Sequence, residues 1–153
     1  MPPPRIAKSH YESLAALRYA LRILIGSSQD ADRQAGLTPR QHQVLLTLKG
    51  FPGRDYASIA ELAGRLHLRH HSVVGLVNRL ARRHLLGRVA STADRRCVEL
   101  RLTRRGEKII ERLSAIHLRE LGQIGPELHR LVGSATSLGS FPKHHPTSPY
   151  SNA

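Results

Sequence analysis

Nine arginines and only two acids, Asp94 and Glu99, occupy residues 79–105. A guanidinium presents a planar fork of donors that fits phosphate oxygens and the guanine edge better than an ammonium does, so the cluster points to nucleic acid. Its setting narrows the chemistry further. Residues 73–103 begin with helical periodicity, switch to strand alternation, and turn a corner at Thr92, Ala93 and Asp94 between two arginine-bearing arms. A helix can enter the major groove of duplex DNA while an arginine-tipped hairpin reaches the neighbouring backbone or minor groove. Arg95 and Arg96 are the leading candidates at the tip. One of them is expected to insert toward the minor groove, where narrow A·T tracts enhance the negative potential. Asp94 is expected to pair with an arginine and fix the loop.

Four further positions on the helix carry groups suited to base or phosphate contacts. Ser72 and Asn78 donate and accept, Val74 can meet a thymine methyl, and Arg79 can meet phosphate. His70 and His71 lie at the start of this helix, and Gly75 leaves room for close approach. Arg88 sits on the first arm of the hairpin. Cys97, the only cysteine, is first of all a small strand residue. Its flanking arginines would lower the thiol pKa, which makes it a secondary redox candidate.

Composition excludes several alternatives. Lysine and arginine number 24 against 11 acids, a formal net charge of +13, so acidic polymers are the natural partners. A membrane-surface role would want exposed bulky apolar residues, and the chain has no Trp and two Phe. One cysteine cannot build a thiolate zinc cage or an intrachain disulfide, and the ten histidines show no convincing ligand spacing with an acid. No metal or cofactor is expected. There is no phosphate loop, no His-Glu-x-x-His and no nucleophile elbow, so catalysis is not expected. The first residues lack the apolar segment of a secretion signal, and no run approaches a membrane span. A cytoplasmic protein is expected.

These groups need elements to hold them. Leu14, Leu17, Leu21 and Leu24 mark an amphipathic helix over residues 7–25, which Gly26 and the polar run after it should end. Thr38 with Gln41, and Ser58 with Glu61, have capping-box spacing and open two more helices. A turn near His67 leads to a helix over residues 70–83, buried through Val73, Leu76, Val77 and Leu80. That pair is the helix-turn-helix arrangement. Residues 86–90 and 96–102 form the hairpin, with Val98, Leu100 and Leu102 on one face and Cys97, Glu99 and Arg101 on the other. A long helix follows from Thr103, with Gly122, Gly125 and Pro126 expected to kink or interrupt it. Beyond Leu131 the composition predicts a disordered tail.

Leu80, Leu85, Leu86, Arg88, the Asp94-Arg95-Arg96 group, and Leu102-Thr103 before Arg104-Arg105-Gly106 resemble the wing of MarR-family winged-helix transcription regulators. Residues 59–63 and 76–80 resemble the family's helix pair, with Asn78 where Asp is more usual. His84 stands where glycine is usual, at a helix end that often needs a left-handed backbone. The resemblance implies an α+β, mostly α, winged helix-turn-helix that binds double-stranded DNA as a homodimer. It divides the chain into an N-terminal dimerisation helix (1–36), a DNA-binding domain (37–103), a C-terminal dimerisation helix (104–132) and a tail (133–153). It also implies control by a small-molecule effector. The alternative is an architectural nucleic-acid-binding protein with little sequence selectivity and no ligand. Family members usually finish with two helices, and the end of this chain has room for a reduced version.

Overall fold

Thr38 and Ser58 start helices as their spacing predicts. The Thr38 hydroxyl accepts from the Gln41 amide at 3.2 Å while Gln41 Oε1 accepts from the Thr38 amide at 3.0 Å. Ser58 and Glu61 reciprocate in the same way at 3.2 and 2.8 Å. Each box satisfies two orphan donors of a helix start. The computed structural model describes residues 6–137. Its elements in order are α1 (Lys8–Gln34), α2 (Pro39–Lys49), β1 (Tyr56–Ala57), α3 (Ile59–Leu66), α4 (His70–Arg82), β2 (Leu86–Ala90), β3 (Val98–Leu102) and α5 (Arg104–Thr136).

One compact unit spans residues 29–116, and the ends of the chain form a second. In the first, α2, α3 and α4 surround Leu45, Leu48, Leu62, Val73, Val77 and Leu80, all fully buried. A three-stranded antiparallel sheet in the order β1-β3-β2 adds Leu86 and Leu100 to this core. The start of α5 adds Ile110 and Leu113. In the second unit Ser27 donates to Glu120, and Ala20 and Leu131 are buried. Large apolar side chains remain exposed on its helices, among them Tyr19, Ile23 and Leu118.

Three helices end alike. Gly36, His67 and His84 each have positive φ, and the residue after each donates five positions back: Leu37 to Asp32, Leu68 to Ala63 and Leu85 to Leu80. These are Schellman ends, in which a left-handed residue satisfies the last carbonyls. His84 has φ +56°, so the left-handed conformation expected there is present. Histidine adopts it at a cost of about 1–2 kcal/mol that glycine avoids. Because the His84 side chain is exposed, His84→Gly should raise stability by about 1 kcal/mol, partly offset by glycine's freedom in the unfolded chain. A urea midpoint that rises at unchanged slope would show it; an unchanged or lower midpoint would refute the strain.

Several expectations need correction. Gly26 and the polar run after it do not end α1, which continues to Gln34. Ser27 is held by Glu120, and Asp32 is buried with an oxygen 3.1 Å from His42 Nδ1. Tertiary contacts therefore carry the helix through a locally weak segment. Nor is α5 interrupted: Pro126 lies inside it. The ring's i−4 neighbour is Gly122, and the turns around it are held by half-buried Ile124 and Leu128 and by buried Leu131. The last strand begins at Val98 rather than Arg96, and β1 is a strand that too short a sequence failed to announce. The helix also extends to Thr136, into the segment predicted to be a disordered tail; residues 138–153 of that segment lie outside the described residues.

Candidate nucleic-acid interface

The outward face of α4 is built by elimination. Val73, Leu76, Val77 and Leu80 take the buried stripe, and the helical period turns the remaining residues away from the core. His70, His71, Asn78 and Arg79 are exposed, while Ser72, Val74 and Gly75 are half-buried. A methyl group added at Gly75 would come no closer than 3.7 Å to anything, and then only to the Arg79 guanidinium. Packing therefore does not require this glycine. Asn78 Oδ1 accepts from Arg88 Nη2 at 2.6 Å, which ties α4 to the first strand of the hairpin. A shallow cleft between the two is lined by Asn78, Ala81, Arg82 and Arg88.

The tip of the hairpin differs from expectation in a useful way. The strands close with Ala90 opposite Val98, and the Cys97 carbonyl accepts from the Ser91 amide at 2.9 Å. The Cys97 amide donates to the Asp94 carbonyl at 2.9 Å, so Asp94 to Cys97 form a β-turn with Arg95 and Arg96 as its central residues. Both arginines are exposed. Asp94 fixes this turn, but its partner is the Arg96 backbone amide, at 2.9 Å to Oδ1, and not a guanidinium. A short carboxylate reaches its own chain two residues on, which leaves the guanidinium groups uncommitted to it.

Cys97 is exposed, with Sγ 3.7 Å from Asp94 Oδ2. The Asp94 carboxylate beside it pushes the thiol pKa up. This reverses the lowering expected from the flanking arginines, because the nearest fixed charge is an acid. A thiol held protonated is a poorer redox nucleophile.

Below the tip lies a network that no local pattern announced. Val98 is exposed, whereas Glu99 is buried, so alternation fails at the start of β3. Arg101 holds Glu99 with Nη2 at 2.8 Å, reaches Asp55 at 3.2 Å, and stacks 4.3 Å over the Tyr56 ring. Arg54 covers the rings of Tyr56 and Phe51, and Arg65 stacks on Phe51. Three guanidinium groups are thereby committed to aromatic faces and acids. The pairing of Tyr56 with Arg101 across β1 and β3 brings Arg101 and Arg54 to the same ring. Among the described residues no group of His, Cys, Asp or Glu has the arrangement of a metal site, and no helix is long and apolar enough to cross a membrane.

A helix-turn-helix followed by a hairpin whose turn exposes two arginines defines a winged helix-turn-helix, an arrangement that other proteins use to bind DNA. Known proteins carry the assignment further. The MarR family model matches residues 35–96. The chain is 30% identical over 96 residues to the uncharacterized HTH-type transcriptional regulator YsmB of Bacillus subtilis (strain 168), a match that covers 63% of this chain and only 64% of that protein's length. It is 28% identical to the HTH-type transcriptional repressor MdtR of the same organism, over 71% of this chain and 70% of that one. The solved structure of a MarR family protein from Bacillus stearothermophilus superposes with a TM-score of 0.66 at 25% identity, covering 78% of this chain and 82% of that one. The chain is thus similar to the MarR family over residues 35–96, and it shares its fold with a solved member of that family.

Proposed function

We propose that this protein is a transcription regulator, a ligand-responsive repressor, that binds double-stranded DNA as a homodimer in the cytoplasm and carries no catalytic activity. The observation that supports this most directly is the β-turn that places Arg95 and Arg96 at the exposed tip of a hairpin tied to α4 through Arg88 and Asn78. In this reading α4 enters the major groove. His70, His71, Ser72, Val74, Gly75, Asn78 and Arg79 then face base edges and phosphates, Arg88 stands beside them, and Arg95 and Arg96 flank them in the minor groove.

Two further features support the remaining parts. The exposed Tyr19, Ile23 and Leu118 give the second unit an apolar surface suited to a second copy of the chain. A cleft of about 330 Å³ in the same unit, lined by Ile23, Leu24, Ser27, Glu120, Gln123, Ile124 and Glu127, has room for a small effector.

Binding to a duplex from the gene's own upstream region should exceed binding to a mixed-sequence duplex by about a thousandfold or more at physiological salt. Titrations across a salt series would measure it. A steep salt slope with equal affinity for both duplexes would replace this reading with the architectural one.

A further inference from the structure

Ser91 and Glu99 stand out in the most basic stretch of the chain because they are its two buried polar residues, with relative exposures of 8% and 9%. Neither belongs to the exposed set expected to meet DNA. A carboxylate removed from water must be hydrogen-bonded, or the fold bears a large desolvation cost. Glu99 is satisfied from two sides. Ser91 lines the same cleft beside it, and with Arg101 holds its carboxyl below the usual carboxylate range. Arg101 also contributes Nε at 3.2 Å and is itself anchored by Asp55 and Tyr56.

Ser91 turns its hydroxyl to the loop. Its oxygen accepts from the amides of Ala93 at 3.3 Å and Asp94 at 3.5 Å. Asp94 in turn accepts from the Arg96 amide. Glu99, anchored to β1 through Arg101, thus lines one cleft with Ser91, whose hydroxyl holds the backbone leading into the turn that bears Arg95 and Arg96. The loop from residue 91 to 97 is long for a hairpin, and ordering each free residue costs about 1–2 kcal/mol. A loop ordered before binding spares the complex that cost.

We propose that Ser91 and Glu99 are positioning residues of the wing, which hold the Asp94–Cys97 turn in the conformation that presents Arg95 and Arg96 to DNA. The proposal rests on the DNA-binding reading of the wing.

The test is a double-mutant cycle on the full chain, with the upstream duplex and a mixed-sequence duplex as probes. Ser91→Ala should weaken binding about fivefold, the worth of one net hydrogen bond, without changing helix content. Ser91→Thr, which keeps a hydroxyl, should restore most of the loss. With Arg95 and Arg96 both replaced by alanine, Ser91→Ala should cost nothing further, because the positioned groups are gone. An equal loss in both backgrounds, or no loss in either, overturns the positioning role alone. If replacing Arg95 and Arg96 leaves affinity unchanged, the DNA-binding wing falls, and the positioning role with it. Should Ser91→Ala not fold, Glu99→Gln in the same cycle decides between the same outcomes.

Discussion

Replacing Arg95 and Arg96 together by alanine should weaken binding to duplex DNA about a hundredfold, since each such contact is worth about 1–3 kcal/mol. The slope of log affinity against log salt should also become shallower by about 2, because two cationic side chains at the DNA no longer displace counterions. Stability should hardly change. Both side chains are exposed, and the turn is closed by backbone groups and the Asp94 carboxylate, none of which the substitutions remove. Surface changes of this kind usually stay within about 0.5 kcal/mol. Equilibrium titration with unfolding curves on the same samples separates the two effects. Wild-type affinity in the double variant would remove the wing from the interface.

A single methyl group at Gly106 should cost about 3 kcal/mol or more, beyond the common range for overpacking because backbone must move. A Cβ built there would lie 1.9 Å from the Leu85 carbonyl oxygen and 2.9 Å from its carbon. Neither side can withdraw easily. The Leu85 side chain is fully buried, its carbonyl accepts from the Thr103 amide at 3.1 Å, and the Thr103 hydroxyl donates to the His84 carbonyl at 2.6 Å. The first turn of α5 is thus pressed onto the left-handed corner that launches β2. Against a total stability of about 5–15 kcal/mol, Gly106→Ala should lower the urea midpoint sharply. Gly64→Ala is the contrast. That glycine is exposed within α3 with nothing near a Cβ, so alanine should stabilise by about 0.5–1 kcal/mol. Equal effects at the two sites would contradict the packing argument.

Much of the candidate interface was legible because it rests on short-range rules. Capping residues sit three positions apart, so Thr38 and Ser58 could be identified from spacing alone. The buried stripe of α4 recurs with the helical period, which left the outward residues as a remainder. The left-handed corner at His84 followed from the resemblance to a family that usually has glycine there. The turn at the wing tip was harder. The strand was expected from Arg96, whereas Asp94 captures the Arg96 amide and delays it to Val98, turning two presumed strand neighbours into the centre of a turn. Glu99 looked like an outward strand residue because alternation takes no account of what covers each face. Arg101 holds it from its own strand and is itself stacked on Tyr56 of β1, 45 positions away.

By itself, then, the sequence determined the helix starts, the inward and outward faces of α4, the identity of the arginines at the tip and the family they resemble. Each depends on residues within a turn or two of one another, where backbone geometry leaves few choices. Only the tertiary structure decided how far α1 runs, which carboxylate is buried beneath the wing, which guanidinium groups are committed to aromatic rings, and why position 106 must lack a side chain. Those outcomes depend on contacts between distant segments, such as Asp32 with His42, Tyr56 with Arg101, and Leu85 with Gly106. Packing energy at such contacts exceeds the small local preferences it overrides.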